Sequence, residues 1–257
     1  MTVTTGVRAR LYVDQALDAG RSVDLSANQS HYLNHVLRLG PGAEVALFNG
    51  KDGEWRARIE TIRRNAGSLG VETQIRPQIT EPDLWLLFAP IKRARLDMLV
   101  QKAVELGVSR LVPVLTERTE VKRLNADRHR SNLIEAAEQC ERMTLPEIVE
   151  PRVISEVLSD FPTDRRLLVC AERGHAEPIN EVLEDDTGEA DRCAILCGPE
   201  GGFAETELDA LQKLSFIRFV SLGPRILRAE TAAISAVTCW QAALGDWRRR
   251  PPDRDST

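Results

Sequence analysis

Short apolar runs alternate with helical stretches after residue 83, and this alternation constrains the fold more than any other feature of the chain. The first helical stretch, for example, carries apolar residues at three- and four-residue spacing, at Leu96, Leu99, Val100, Ala103 and Leu106, before Gly107. Such alternation is typical of a parallel sheet covered by helices. The sequence therefore predicts an α/β domain over residues 84–247. Its strands are expected in the runs LWLLFAPI, RLVPVL, RLLVCA, CAILCG and IRFVSL.

The first 76 residues are rich in strand-like segments. These are ARLYVD, AEVALFN, EWRARIETI and SLGVETQI. Between the second and the third, Asn49–Gly53 contains Asn-Gly and Asp-Gly pairs that supply the positive φ angles of a hairpin loop. One helix is expected over Gln29–Leu39, with Leu33, Val36 and Leu37 facing inward. We therefore expect a small β-barrel over residues 1–76, followed by a proline-containing linker over residues 77–83.

Composition and charge narrow the class of protein. With 257 residues and 42% hydrophobic content, the chain can bury a sizeable core. The net charge of -5 excludes attraction to nucleic acid by the field of the whole protein, although local basic clusters remain. We see no signal segment and no run of about 18 apolar residues, so we expect a cytoplasmic protein that does not enter a membrane. Residues 248–257 have no apolar face and are predicted to be disordered.

Disulfide and metal sites are not expected. The five cysteines are an odd number at scattered spacings, which argues against a disulfide framework and favours core thiols. Cys193 and Cys197 lack a second Cys or His pair that would complete a zinc site. His31 and His35 are four residues apart, but neither a catalytic glutamate between them nor a third ligand accompanies them. The sequence therefore predicts no bound metal.

The loop after the run CAILC is a candidate ligand-binding loop. Its sequence is GPEGGF, and Gly198, Gly201 and Gly202 would let backbone amides approach a ligand closely. The spacing of the glycines is not that of a dinucleotide-binding loop, and Glu200 is unfavourable next to a phosphate. A ligand loop and a plain strand-to-helix turn both remain open for this segment.

A second candidate loop, LGPRILR, begins at Leu222 after the run IRFVS. It places Arg225 and Arg228 near the start of a helix, where the helix dipole disfavours cations, so the arginines indicate an anionic or carbonyl-rich partner. Glu230 in the first turn is either their ion-pair partner or a catalytic carboxylate. The helix that follows carries two apolar stripes, which favours a subunit interface.

Five motifs are spread over most of the chain; in chain order they are HYLNHVLRLGPG, KRARLDMLVQKAVELGV, TERTEVK, GPEGGF and LGPRILRAETAA. Together they resemble the RsmE family of 16S rRNA uridine-N3 methyltransferases in the SPOUT superfamily. GPEGG alone is shared more widely among RNA methyltransferases, but its combination with LGPRILR is specific. Two positions depart from the family, because Ala204 stands for a Ser or Thr and Ala229 for a Thr. The first change removes a helix cap worth about 1 kcal/mol, which Thr206 or the backbone can partly replace.

The resemblance implies a C-terminal SPOUT-type α/β domain with a deep trefoil knot, preceded by a PUA-like β-barrel that binds RNA. It also implies a homodimer and S-adenosylmethionine as the cofactor, bent among the loops that follow LLVCA, CAILC and IRFVSL. The cofactor-binding residues that it implies are Cys197, Gly198, Glu200, Gly201, Gly202, Leu222, Gly223, Arg225, Ile226, Leu227, Thr231 and Ala232.

The reaction implied by the resemblance is methylation of N3 of a specific uridine in 16S rRNA within the small ribosomal subunit. Uracil N3 holds a proton at neutral pH, so a base has to accept it; Glu230 is favoured, with Glu200 and bulk water as alternatives. Arg228, and secondly Arg225, would stabilise the charge that develops on the ring carbonyls. RNA contacts are expected from His31, Arg38, Lys92, Arg93, Arg118, Lys122 and Arg142.

Two other functions remain open. One keeps the fold and the cofactor but methylates another RNA position, such as a ribose 2'-hydroxyl. The other is a non-enzymatic rRNA-binding factor in ribosome assembly. The complete LGPRILR motif and the N-terminal barrel argue against the first, and two glycine-bearing loops that RNA binding alone would not require argue against the second.

Overall fold

The computed structural model describes residues 7–171, 176–185 and 192–249. Two compact units are present. Unit one comprises the described residues up to Thr80 together with Ala137–Leu145, and unit two comprises Glu81–Ala136 with the described residues from Pro146 onward. Residues 250–257 of the predicted disordered tail, and residues 1–6 of the predicted barrel, lie outside the described residues. The exact domain limits stay a prediction.

Unit one contains a five-stranded mixed sheet with the order β1-β3-β4-β5-β2. Its strands are β1 (Arg10–Tyr12), β2 (Ser22–Leu25), β3 (Glu44–Phe48), β4 (Glu54–Ile62) and β5 (Gly67–Arg76). β1 pairs with β3 in parallel, and the other neighbours pair antiparallel. Side chains from all five strands enter one core, whose members include Leu11, Val23, Val45, Leu47, Ile59 and Leu69.

The helix predicted over Gln29–Leu39 is shorter and has two parts. The helix α1 covers Ala27–His31, and a π-helical turn covers Tyr32–Val36. In the π turn the hydrogen bonds join residues five apart, so the three- and four-residue spacing of an α-helix no longer predicts which face is buried. Leu33 is buried as predicted, but the prediction for Val36 is wrong, since it is 59% exposed.

The turn between β3 and β4 has the predicted hairpin chemistry. Gly50 and Gly53 both have φ +80°, in the region that favours glycine. Within the turn, Asp52 Oδ2 accepts hydrogen bonds from the Leu17 backbone N–H at 2.9 Å and from Asn49 Nδ2 at 2.7 Å. The hairpin is therefore tied to the segment that follows β1.

A buried carboxylate organises a second set of polar contacts in unit one. Glu54 accepts hydrogen bonds from Arg10 Nε and, at 2.5 Å, from Arg76 Nε. Arg10 also donates to the carbonyl oxygens of Ala137 at 2.8 Å and of Arg142 at 3.1 Å. Arg76 Nη2 donates to a carbonyl oxygen in the same segment, that of residue 141, at 3.1 Å. Glu54 thus holds two arginines that bind the backbone of residues 137–142.

Unit two contains a parallel sheet with the order β11-β13-β10-β12-β6-β7-β8, and β9 pairs with β7. Every pairing in it is parallel. Each of the five predicted apolar runs contains one of its longer strands, so the α/β prediction is confirmed. The strands are β6 (Asp83–Phe88), β7 (Arg110–Leu115), β8 (Glu147–Ile148), β9 (Arg152–Val153), β10 (Arg166–Cys170), β11 (Glu177–Pro178), β12 (Arg192–Cys197) and β13 (Ile217–Ser221).

The helices of unit two bury the predicted apolar faces. They are α2 (Arg93–Glu105), α3 (Ala126–Cys140), α4 (Ile154–Ser159), α5 (Ile179–Glu184), α6 (Glu205–Gln212) and α7 (Ala229–Ala243), and the last residues of α3 belong to unit one. Four of the five apolar positions predicted for this helical stretch are buried, whereas Leu106 is half-buried, and Gly107 ends the segment with φ +77°. On α7, Ala233, Val237 and Trp240 are buried. None of the helices in the described residues is long and apolar enough to span a membrane.

The cysteines only partly follow the prediction of core thiols. Cys193 and Cys197 are buried on β12, and burial raises the pKa of the Cys193 thiol to about 12. Cys170 and Cys239 are partly exposed, and Cys140 is exposed, so the prediction is wrong for Cys140. Cys140 is the last residue of α3, and its side chain lies outside the core.

Candidate active site

Two loops leave the same edge of the sheet in unit two. The order β13-β10-β12 places their strands on either side of β10, and Cys170 at the end of β10 is level with both Cys197 and Val220. The carboxyl ends of parallel strands are the usual place for a ligand in an open α/β sheet. We define loop A as residues 198–204, after β12, and loop B as residues 222–228, after β13. The third predicted loop, after β10, has residues 172–175 outside the described part of the chain.

Loop A is a tight turn that requires residues without a Cβ at two positions. Gly202 has φ +69°, and a Cβ on Gly198 would lie 2.9 Å from Cε2 of Phe203. The helix α6 begins after Ala204, whose backbone N–H donates to Glu207 Oε2 at 2.9 Å. Glu207, rather than Thr206, therefore satisfies the backbone at this helix start.

Two contacts tie loop A to the segment after β7. Arg118 Nη1 donates to the carbonyl oxygen of Gly201 at 2.8 Å. The other oxygen of Glu207, Oε1, accepts from the backbone N–H of Glu117 at 2.8 Å. Arg118 was predicted to bind RNA. In the structure its guanidinium holds loop A in place, and the contact with RNA stays a prediction.

Loop B exposes its backbone and its arginines. Gly223 has φ +98°, and its N–H donates to Ser221 Oγ at 3.3 Å. The backbone N–H groups of Ile226 and Leu227 donate to no other described residue. Arg225 and Arg228 are exposed, and among the described residues neither guanidinium has a hydrogen-bond or ion-pair partner. Loop B therefore offers backbone donors and two cations to a ligand.

The two candidate carboxylates differ in environment. Glu230, in the first turn of α7, is only 4% exposed, whereas the Glu200 side chain on loop A is 43% exposed. Arg95, in the first turn of α2, connects them. Its Nη1 forms an ion pair with Glu200 Oε1, and its Nε lies 3.6 Å from Glu230 Oε1. The second oxygen of Glu230, Oε2, is buried and accepts no hydrogen bond from any described residue.

Arg95 brings together segments that are far apart in the sequence. In the sequence it is one of three basic residues, with Lys92 and Arg93, close together before and within the first turn of α2. Its spacing from Glu200 and Glu230 contains no periodic signal, so the contact could not be predicted from the chain alone. The contact shows that loop A and the start of α7 face each other across one arginine.

The remaining predicted cofactor residues lie on or beside the two loops. Cys197 is buried at the end of β12, Leu222 and Leu227 are half-buried, and Ile226 is 77% exposed. In the first turn of α7, Thr231 is exposed and Ala232 is half-buried. Their roles as cofactor ligands remain predictions.

The RNA-binding candidates of unit two are mostly exposed. Lys92 and Arg93 lie at the start of α2, and Lys92 Nζ is 3.8 Å from Glu120 Oε2. Lys122 lines an open cavity of about 550 Å³ with apolar residues that include Val153 and Leu158. These positions suit contacts with phosphates, and the contacts themselves stay predictions.

The RNA-binding candidates of unit one differ among themselves. His31 and His35 are exposed with ring centroids 4.9 Å apart, and Arg38 is exposed with φ 56°. Arg142 is only 9% exposed, and its Nε donates to Thr144 Oγ1 at 3.1 Å. Its burial argues against a direct contact with RNA. Among the described residues, no group of three or more His, Cys, Asp and Glu side chains could hold a metal ion.

Comparisons with known proteins agree with this architecture. Residues 79–241 match the family model of the RNA methyltransferase domain, and residues 25–71 match that of the RNA methyltransferase PUA domain. The predicted fold class, an α/β methyltransferase domain preceded by a PUA-like domain, is thereby confirmed.

Individual relatives cover nearly the whole chain. The ribosomal RNA small subunit methyltransferase E of Rickettsia conorii is 33% identical over 230 residues, which are 89% of this chain and 93% of the relative. The enzyme of the same name from Synechocystis is 31% identical, covering 90% of this chain and 76% of the relative. The crystal structure of that enzyme from Neisseria gonorrhoeae, bound to S-adenosyl methionine, superimposes with a TM-score of 0.84 at 29% identity, covering 93% of this chain and 99% of that one. The chain therefore belongs to the ribosomal RNA small subunit methyltransferase E family.

Proposed function

We propose that this protein transfers the methyl group of S-adenosylmethionine to N3 of a uridine in 16S rRNA. Membership of the family supports the reaction class, and the cofactor bound to the Neisseria relative supports the methyl donor. The observation that carries the proposal is the buried carboxylate of Glu230, whose Oε2 has no partner among the described residues, beside loops A and B. A buried carboxylate oxygen without a partner is unfavourable unless a ligand provides a donor.

The two loops fit S-adenosylmethionine. The backbone N–H groups of Ile226 and Leu227 can donate to the adenine, and the glycines of loop A allow close approach of the backbone. The remaining ligands would come from the strand and helix ends beside the loops, among them Cys197, Leu222 and Ala232. When bound, the cofactor supplies an activated methyl group on its sulfonium.

Glu230 is the preferred base. When N3 takes the methyl group, the sulfur–methyl bond would break and the sulfonium would leave as a neutral thioether. The N3–H bond would break as well, and Glu230 Oε2 would accept the proton. Glu200 is a weaker candidate, because its Oε1 is engaged by Arg95 and the side chain is more exposed. Bulk water would be the acceptor if neither carboxylate reached N3.

Arg228 is the preferred group to stabilise the charge on the uracil carbonyls. It caps the start of α7 with an extended backbone, two residues before Glu230, and its guanidinium is exposed and without a described partner. A guanidinium held there can donate to a carbonyl oxygen on which negative charge accumulates as N3 loses its proton. Arg225 on the same loop is the second candidate.

Exposed basic side chains would hold the RNA. Lys92, Arg93 and Lys122 in unit two are proposed to contact phosphates, as are His31 and Arg38 in unit one. We also propose that the rRNA is bound within the small ribosomal subunit in the cytoplasm. The homodimer and the trefoil knot remain proposals too, and the half-buried Ala232 and Ala243 on α7 are consistent with a partner helix.

Single-turnover methylation of small ribosomal subunits from a strain that lacks the enzyme tests the proposal. Nucleoside mass spectrometry should find 3-methyluridine, and a 2'-O-methylated nucleoside or no product would overturn it.

Glu230→Gln should slow methyl transfer by about 10²-fold or more, which is the range of general-base catalysis, with little change in cofactor affinity. Glu205→Gln, an exposed glutamate in the first turn of α6, is the matched control. A full rate for Glu230→Gln at every pH would eliminate it as the base.

A further inference from the structure

We infer that Arg95 is a positioning residue that holds the Glu230 carboxylate for proton transfer and fastens Glu200 of loop A in place. The inference rests on the proposed function, because it assigns Arg95 a part in the same reaction. Arg95 would otherwise count with Lys92 and Arg93 as one more cation for RNA phosphates. Its contacts with Glu200 and Glu230 distinguish it from Lys92 and Arg93.

The geometry of Arg95 is that of a side chain engaged on the protein. It leaves the first turn of α2, its side chain is about one-third exposed, and it reaches Glu200 through Nη1 and Glu230 through Nε. Both carboxylates lie within 4 Å of the same guanidinium. Arg93 is exposed and has no such partner among the described residues. A guanidinium bound between two carboxylates has fewer donors left for a phosphate.

The environment of Glu230 explains why a cation is needed there. A carboxylate that is 4% exposed has lost most of its hydration, and its charged form is costly without a compensating charge. Arg95 is the one charged side chain within ion-pair distance of Glu230 among the described residues. The elements α5, β6 and β12 and the short 3-10 turn Asp246–Arg248 also pack against α7, and within the described part of the chain none of them forms an ion pair with it. The amide groups at the start of α7 add a smaller favourable term.

The contact also selects which oxygen is available. Arg95 lies beside Oε1, and Oε2 is left buried without a partner among the described residues. Oε2, which Arg95 does not contact, is therefore the oxygen that can accept the proton from uracil N3. Glu200, which would compete as the base, serves in this arrangement as the residue that ties loop A to Arg95.

The test compares Arg95→Met and Arg95→Lys in single-turnover methylation across pH. Loss of the cation should reduce the rate at least tenfold and move the acid limb of the pH–rate profile upward by about one pH unit or more, because an opposite charge within 4–6 Å favours a charged carboxylate. Arg95→Lys should restore the position of the limb, but only part of the rate, because an ammonium cannot bridge two carboxylates as a guanidinium does. Lys102→Met on the same helix, which removes a cation paired with Glu105, should leave both unchanged.

Three outcomes would overturn the inference. An Arg95→Met rate that is lowered equally at all pH values would indicate a purely structural role, and a weaker affinity for the subunit at an unchanged maximal rate would indicate a phosphate contact. If thermal unfolding shows that Arg95→Met does not fold, Arg95→Lys decides alone, and a full rate for it would overturn the bridging role. Failure of the wild-type protein to form 3-methyluridine would instead refute the proposed function.

Discussion

Replacement of Glu54 by Gln should destabilise unit one far more than replacement of a glutamate in an exposed ion pair. Glu54 is buried and accepts from both Arg10 and Arg76. The amide of Gln keeps the shape of the side chain but removes the negative charge. Two arginines would then remain beside a neutral group, and Arg10 is itself mostly buried.

The magnitude follows from the burial of the contact. Removing one member of a buried ion pair costs about 3–5 kcal/mol, because the remaining charge loses its compensation without regaining water. Gln retains one hydrogen-bond acceptor and Arg76 is partly exposed, so we expect the lower end, about 3 kcal/mol. For a chain of this size, a loss of about 3 kcal/mol corresponds to a decrease of about 6–12 °C in the melting temperature if the units unfold together.

The assay is urea unfolding combined with hydrogen–deuterium exchange read by mass spectrometry. The control is Glu72→Gln. Glu72 Oε1 lies 2.7 Å from Arg58 Nε, but this ion pair is exposed. Exposed pairs contribute little, so the unfolding midpoint of this variant should not change measurably. In Glu54→Gln, exchange should increase in the strands of unit one and also in residues 137–145, whose carbonyl groups Arg10 and Arg76 bind.

Equal unfolding midpoints for Glu54→Gln and Glu72→Gln would refute the reasoning, because burial would then not determine the cost. Protection of residues 137–145 that is unchanged in Glu54→Gln would refute the second part. In that case the two arginines would bind the backbone there without stabilising it.

Two further predictions concern single groups. Gly198→Ala should raise the dissociation constant for S-adenosylmethionine by about tenfold in calorimetry, because its Cβ would lie 2.9 Å from Phe203 and loop A would have to shift. Gly40→Ala is the control, because a Cβ added there would have no other atom within 4 Å. Equal affinities for the two variants would contradict the prediction. Hydrogen bonds from the Leu17 backbone N–H and from Asn49 lower the pKa of Asp52 in the folded protein. The charged carboxylate therefore stabilises the fold above about pH 4, and this stabilisation is lost as the pH falls through the lowered pKa. The gap in urea midpoint between wild type and Asp52→Asn should therefore be full at pH 7 and close in acid; a constant gap would contradict it.

The sequence predicts those parts of the fold that leave a local signal. Each long strand of unit two lies in an apolar run, and the buried face of α2 follows its three- and four-residue spacing. The π turn after α1 was not predicted, because a change of hydrogen-bond register alters the period without altering composition. The parallel pairing of β1 with β3 was not predicted either, since local patterns do not determine which strands become neighbours.

The candidate site shows the same division. Its loops are visible in the sequence, because three glycines and a carboxylate follow one strand and a glycine, two arginines and a carboxylate follow the other. The link through Arg95 depends on three segments meeting in space, and a cation in the first turn of α2 looks like any solvent-exposed charge. The burial that distinguishes Glu230 from Glu200 is likewise a property of packing and not of residue type.

Unit one is built from two separated stretches of the chain, and this affects when it can be completed during synthesis. Its sheet is finished at Arg76, but its last segment, Ala137–Leu145, is separated from that sheet by all of Glu81–Ala136. A ribosome translating this chain therefore delivers β6, α2 and β7 before the carbonyl groups that Arg10 and Arg76 bind. Until then Glu54 is the carboxylate that holds both arginines, so unit one is completed only after the first part of unit two has been made.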